Sequence, residues 1–327
     1  MARPAHPAGL SALQMARPAQ PLSLSAPIAS QTRLSVTQPA SRRRASLRAQ
    51  QRVDPAATLA LVVVALFVIA GVCAPLLEPH DPLAQNIALR LKPPGFVDPG
   101  TATRFWLGTD GLGRDILSRL IEGARVSLLV GSLGALLSAA LGTGIGLTSG
   151  YLGGWYDSVV MRLVDVWQAV PYTILAIAVA VIIGPSLPTL ILVLGVTTWV
   201  NYARVVRGET LSQRHGEVVV AARVVGASST RIVVRHVLPQ VSASIIVLSS
   251  LLVASMILFE ASLSFLGLGV QPPTPSWGNM VLDGVEPIRA AWWVAFWPGL
   301  TILIVVMAIN LVGDWLRDRL DPRQREF

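Results

Sequence analysis

The sequence predicts an all-α polytopic membrane protein with six transmembrane helices. Three observations lead to this fold class. The 327 residues are 53% hydrophobic and only 13% charged, whereas soluble domains are about 25% charged. Their mean hydropathy is +0.60. Six long stretches are almost free of charge, and a helix needs roughly 20 apolar residues to cross a bilayer. These figures exclude a disordered protein and argue against an ordinary soluble enzyme.

The first segment, residues 1–54, is predicted to be a disordered, basic, cytoplasmic tail. It is rich in Ala, Pro, Ser, Gln and Arg and shows no apolar periodicity. The positive charge of the chain lies mostly here, so the nearly neutral body does not suggest a nucleic-acid partner. The run Met1–Pro7 recurs as Met15–Pro21, which fits either a duplication or an alternative start at Met15.

The body, residues 55–323, is predicted to be the six-span domain, followed by a short tail at 324–327. The predicted spans are about 57–77, 126–149, 158–183, 188–206, 239–266 and 291–315. Basic residues predict their orientation. With a cytoplasmic N-terminus, the inside segments hold 18 Arg or Lys residues and the outside segments six. Both termini are therefore expected to be cytoplasmic.

Small residues recur every four positions along the second span and share one helix face. They are Gly134, Ser138, Gly142 and Gly146. Such a face lets the backbone of another helix approach closely. The pattern fits tight packing within the chain or a contact between subunits.

The cytoplasmic loop 207–238 is predicted to be ordered. A helix is expected from Glu217 to Val225, with Gly226 as its left-handed cap, and a shorter helix capped by Ser228 or Ser229. Pro239 is expected to begin the fifth span. This arrangement would project a knob that fits a partner's groove, although a plain amphipathic surface loop also fits the pattern.

The stretch AARVVGASSTRIVVRHVLP resembles the EAA signature of bacterial ABC importer permeases. Five residues match the signature: Ala221, Ala222, Gly226, Leu238 and Pro239. Val220 stands where the family often has Glu, and Glu217 lies one turn earlier on the same face. The resemblance implies that the loop, 214–230 in particular, couples the permease to ATPase subunits.

Further blocks resemble the second permease subunit of dipeptide and oligopeptide importers. They are LGTDGLGRDILSRLIEGARVSL, GYLGGWYDSVVMRLVDV, EASLSFLGLGVQPPTPSWGNM and NLVGDWLRDRLDPR. The resemblance implies an ABC type I importer permease in the bacterial inner membrane. It also implies a homologous permease, two cytoplasmic ATPases and an extracytoplasmic peptide-binding protein as partners. Related systems carry nickel chelates or glutathione, so the resemblance says less about the cargo.

The sequence itself assigns ATP hydrolysis to another chain. A P-loop ends in Gly-Lys-Ser/Thr, and the single lysine, Lys92, follows Leu91. We therefore expect no catalytic site, no cofactor and no metal on this chain. The four histidines, at positions 6, 80, 215 and 236, lie outside the predicted spans.

Five polar residues in the predicted spans are candidates for a pathway or structural role: Glu260, Arg162, Asp165, Asn310 and Asp314. Ionisable groups in a membrane usually face a bundle interior or a cavity. Arg162 and Asp165 are spaced to pair on one helix face. A proton-coupled secondary transporter that uses Glu260 or Asp165 as a relay is the main alternative function.

Overall fold

The structure, a computed structural model, describes residues 55–320. The predictions for the tail 1–54, for a start at Met15 and for the tail 324–327 lie outside these residues.

Helices make up most of the described chain. They are α1 (Pro55–Val72), α2 (Ala74–Leu77), α3 (Ile116–Leu152), α4 (Gly154–Ala169), α5 (Tyr172–Ile183), α6 (Leu187–Gln213), α7 (Glu217–Val224), α8 (Ser229–Ile232), α9 (Leu238–Phe265), α10 (Trp277–Asp283) and α11 (Trp293–Leu320). A small hairpin lies between α2 and α3, where β1 (Phe96–Val97) pairs antiparallel with β2 (Arg104–Phe105).

Five of these helical stretches are long and apolar enough to cross a membrane, and a bent pair gives a sixth. The five are α1, α3, α6, the continuous stretch from α8 through α9, and α11. The bent pair is α4 and α5. The fold is therefore the predicted all-α, six-span arrangement.

The third predicted span, 158–183, is not one straight helix. The chain bends by 78° between helices α4 and α5. Pro171 lacks a backbone N–H, and Val170 before it adopts an extended conformation with φ −88° and ψ 122°. Pro171 therefore divides the predicted span into two helices.

Contacts along α6 indicate that the bent pair crosses the bundle. The start of α4 contacts the C-terminal part of α6, where Asp157 of α4 pairs with Arg207 of α6. Further along α4, the indole N–H of Trp167 donates to the carbonyl of Thr197 at 3.4 Å. In α5, Ala176 shares a buried cluster with Leu190, near the start of α6. The pair thus runs antiparallel to the whole of α6.

The glycine stripe of α3 packs against α6 within the chain. A Cβ on Gly142 would lie 2.2 Å from the Trp199 carbonyl oxygen, and one on Gly146 would lie 2.7 Å from that of Ala203. Ser138 shares a hydrogen bond of 2.9 Å with Thr198. Gly134 faces Met256 of α9. Of the two sequence interpretations, the intrachain one accounts for these contacts.

The predicted coupling loop is more helical than expected. Helix α6 continues to Gln213, so the first residues of 207–238 belong to it. Helix α8 does not end before Pro239 but passes through a π-helical turn, Val233–Val237, into α9. The Leu238 N–H bonds the Val233 carbonyl, five residues back. This wider turn precedes the proline, which has no N–H of its own to donate, so the short second helix continues into the fifth span.

Candidate functional site

The residues from the end of α6 to the first residue of α9 form a compact helix-turn-helix, which we call the coupling segment (214–238). Helix α7 ends in a turn at Gly226, whose φ of +83° suits glycine. The Ala227 N–H bonds the Ala222 carbonyl at 3.0 Å, which closes the turn as in a Schellman motif. Ser228 then caps α8 by accepting from the Arg231 N–H at 3.4 Å. Both caps were predicted.

One side of the coupling segment is fixed to the helix bundle. Val219, Ile232 and Val237 are buried in one cluster with residues of α3, α6 and α9. Ala222 and Leu238 pack against this cluster. Burial of such side chains contributes about 1.5–3 kcal/mol each, so the segment is held rigidly to the bundle.

The other side of the segment presents apolar side chains to the outside. Val224 and Val225, at the tip before Gly226, are 83% and 87% exposed. Glu217, Ala221 and Pro239 are also exposed. Of the predicted coupling residues, the structure therefore places Glu217, Ala221, Gly226 and Pro239 at the surface and Ala222 and Leu238 partly inside.

A hydrogen bond joins the coupling segment to α3, and further hydrogen bonds join three transmembrane helices beside it. Arg214 donates to the Gly150 carbonyl at the end of α3, at 3.3 Å. About two helical turns before Arg214, Arg207 of α6 donates to both carboxylate oxygens of Asp157 on α4 at 2.5 Å. Asp157 also accepts from Ser149 of α3 at 2.5 Å. These contacts connect α3, α4 and α6 close to the segment.

A second feature is a cavity at the bend between α4 and α5. It has a volume of about 410 Å³ and is lined by residues of α4, α5, α6 and α9 and of the bend itself. Its walls carry aromatic rings and uncharged polar groups. The residues that line it are Trp167, Gln168, Val170, Pro171, Tyr172, Leu175, Leu194, Thr197, Thr198, Val200, Asn201, Leu252, Ser255, Met256 and Phe259. Pockets of this size accommodate small ligands.

Glu260 lies away from this cavity, in a fully buried position near the end of α9. Its carboxylate accepts hydrogen bonds from Ser127 of α3 at 3.1 Å and from Ser264 at 2.7 Å. These serine hydroxyls satisfy a carboxyl group that would otherwise be costly to bury. The surroundings are those of a structural acceptor rather than of a group that lines a path.

The other polar candidates do not form one site. The spacing predicted that Asp165 pairs with Arg162, but Asp165 pairs with Arg204 of α6 at 2.6 Å. This partner is within reach because α4 lies along α6. Asn310 is half-buried in α11, and Asp314 is exposed one turn later.

An ionic cluster at the opposite end of the bundle was not predicted. Asp110 accepts from Arg114 at 2.7 Å and from Arg119, and both arginines reach Asp283 of α10. The indole N–H of Trp277 donates to the Leu120 carbonyl at 3.0 Å. The cluster fastens the loop before α3 to α10. Asp110, Arg114 and Arg119 lie in the quoted LGTDGLGRDILSRL block, but no spacing rule pairs them with Asp283.

Comparison with known families gives two matches. Residues 142–326 match the family described as binding-protein-dependent transport system inner membrane component. Residues 50–94 match the N-terminal TM domain of oligopeptide transport permease C.

Several characterised relatives are similar over most of their length. The di/tripeptide transport system permease protein DppC of Pseudomonas aeruginosa is 43% identical over 80% of this chain and 86% of its own. The dipeptide permease DppC of Bacillus subtilis is 41% identical over 81% of this chain and 80% of its own. The oligopeptide permease OppC of the same organism is 37% identical over 84% and 88%.

Among solved structures, the inward-facing MetNI methionine ABC transporter has the same fold. Its matching chain gives a TM-score of 0.51 at 19% identity, over 63% of this chain and 98% of that one. The matching segments, the identities with the permease C proteins and the shared fold lead to one conclusion: this chain belongs to the binding-protein-dependent transport system inner membrane component family, as a permease subunit of the dipeptide and oligopeptide permease C group.

Proposed function

We propose that this chain is a permease subunit of an ATP-driven importer of dipeptides or oligopeptides. It forms the pathway together with a second, homologous permease. Two cytoplasmic ATPases bind the coupling segment and supply the energy. The observation that carries this proposal is the geometry of that segment. Its apolar tip at Val224 and Val225 is exposed, while its opposite side is buried in the bundle.

The exposed tip fits a protein partner because exposed apolar side chains on a rigid projection favour docking in a groove. Rigid attachment then allows the partner's movement to reach the transmembrane helices. Arg214 connects the segment to α3, and the Asp157–Arg207 pair connects α4 to α6. Closure of the ATPases around ATP would thus rock α3, α4 and α6 together.

The orientation follows from this assignment. The coupling segment and both termini lie in the cytoplasm, in agreement with the distribution of basic residues. The end with the hairpin and α10 faces outward, where an extracytoplasmic binding protein delivers peptide. The Asp110 cluster keeps that outer surface in one shape.

A peptide cargo is supported by the names of the relatives, which are di/tripeptide, dipeptide and oligopeptide permeases. These names favour peptide over nickel chelates or glutathione. A proton relay through Glu260 is not favoured, because its carboxylate is fully buried among serine hydroxyls and does not line the cavity.

The proposal is tested by reconstitution into proteoliposomes. The vesicles contain the complete set of two permeases and two ATPases, and the peptide-binding protein is added on the face opposite the ATPases. These vesicles are expected to accumulate a labelled dipeptide only when ATP is present on the ATPase side. This chain alone, under an imposed proton gradient, is expected to accumulate none. Uptake by this chain alone would contradict the proposal and support the secondary transporter.

A further inference from the structure

The cavity at the α4–α5 bend contains two carboxamides whose donors and acceptors the protein does not use. The side chains of Gln168 and Asn201 are exposed, and neither makes a hydrogen bond within residues 55–320. By contrast, the hydroxyls of Thr197, Thr198 and Ser255 each donate to a carbonyl of their own helix, at 2.8, 2.7 and 3.1 Å. The two carboxamides are therefore available to a ligand.

The surface beside the cavity is also polar, although it lies on transmembrane helices. Asp165 lies three residues before Gln168 on α4, and Arg204 lies three residues after Asn201 on α6. Each charged residue is therefore about one helical turn from the nearby carboxamide and on the same helix face. The side chains of the pair remain 66% and 45% exposed. Charges at such positions face a cavity or a protein surface and not lipid. The two helices thus present one continuous polar stripe.

The remaining walls are apolar and aromatic. Tyr172 and Phe259 are in ring contact at 4.9 Å, and Leu194 and Met256 lie across from the bend. Among the described residues that line the cavity, none is an Asp, Glu, Lys, Arg or His. Such a lining offers no fixed charge that would select for or against a charged side chain.

We propose that this cavity is a transient binding site for the peptide backbone, in which the carboxamides of Gln168 and Asn201 form hydrogen bonds with the backbone groups of the peptide. This inference rests on the proposed function. Each carboxamide has both donors and an acceptor, so each matches the C=O and N–H of a peptide group. Because these groups occur in every peptide, the site accepts short peptides of varied sequence, while the apolar walls contact their side chains.

The inference is tested in the complete reconstituted transporter with Gln168→Leu and Asn201→Leu. Leucine has a similar size but forms no hydrogen bond. Loss of one such bond is expected to lower the efficiency of ATP-driven dipeptide uptake about threefold to tenfold. The control, Ser262→Ala, removes a hydroxyl on α9 that bonds the Leu258 carbonyl away from the cavity, and it is expected to leave uptake unchanged. Co-purification with the ATPases verifies that each variant is assembled.

A labelling experiment measures occupancy directly. In a Cys73→Ser background, the substitution Asn201→Cys provides the single thiol of the chain. Its reaction with a water-soluble thiol reagent is expected to slow when dipeptide, binding protein and ATP are supplied together. Unchanged uptake in both leucine variants, or no protection of the thiol during active transport, would overturn the inference. A wild-type complex that transports no peptide would instead contradict the proposed function.

Discussion

Asp157 joins three helices near the coupling segment through a single carboxylate. It accepts from Ser149 of α3 and from Arg207 of α6, while it belongs to α4. The substitution Asp157→Ala leaves Arg207 without its partner in a partly exposed position. We expect a loss of about 1–3 kcal/mol in the free energy of unfolding, since hydrogen bonds to charged groups contribute at that level. Thermal unfolding of the purified protein in detergent measures this loss.

The matched control for this prediction is Asp318→Ala. Asp318 is an exposed aspartate near the end of α11 that makes no hydrogen bond or ion pair within residues 55–320. The unfolding temperature of this variant is expected to equal that of the wild type. An Asp157→Ala protein as stable as the control would show that the three-helix junction does not stabilise the fold.

Glu78 gives the protein a pH-dependent stability. Burial, followed by repulsion from Glu122, raises the pKa of its carboxyl group from 4.5 to about 7. The folded state therefore disfavours the ionised form, so stability falls as the pH rises from about 4.5 to about 7 and is constant above that range. We expect Glu78→Gln to flatten this decrease in unfolding temperature. The control Glu286→Gln, at an exposed acid, should retain the wild-type profile.

At the scale of elements, the packing of α3 on α6 depends on missing side chains. A Cβ on Gly142 would overlap the Trp199 carbonyl, whereas a Cβ on Gly144 would meet nothing within 4 Å. We expect Gly142→Ala to destabilise the protein by about 1–3 kcal/mol through overpacking. Gly144→Ala, its control two residues away, should stabilise by about 0.5–1 kcal/mol. Equal unfolding temperatures would contradict this close approach.

The turn at Gly226 depends on backbone conformation alone. Its φ is +83°, and a Cβ there would meet no atom within 4 Å. Gly226→Ala thus tests the left-handed conformation, which costs a residue with a Cβ about 1–2 kcal/mol. We expect amide hydrogen exchange in α7 and α8 to become about fivefold to thirtyfold faster. Gly226→Asn should change it less, because asparagine tolerates this conformation, and an equal effect of both would contradict the explanation.

Local signals allowed much of the helical plan to be predicted. Charge-free stretches located the spans, and Gly226 and Ser228 predicted both caps. The bend at Pro171 and the continuous passage through Pro239 show where such reasoning stops. A proline breaks one helix and is accommodated by a π turn in the other. The surrounding packing decides between these outcomes, and it cannot be read from the local sequence.

For the molecule as a whole, the sequence predicted which segment projects from the bundle but not which groups share a site. Asp165 and Arg162 have ideal spacing on one helix, yet Asp165 pairs with Arg204 on another. The cavity combines residues of α4, α5, α6 and α9. Contacts between positions far apart in the chain arise from helix packing, and one sequence contains no direct record of it.

The coupling segment is proposed to transmit ATPase movement to this chain. The most direct test places one cysteine at Val225 in a Cys73→Ser chain within the complete transporter and measures cross-linking to the ATPases with a short bifunctional reagent. We predict a cross-link from position 225 whose yield changes with ATP, and none from a control cysteine at Ile288, an exposed residue at the opposite end. The absence of any cross-link from position 225 in an actively transporting complex, or a yield that ATP does not alter, would contradict the account.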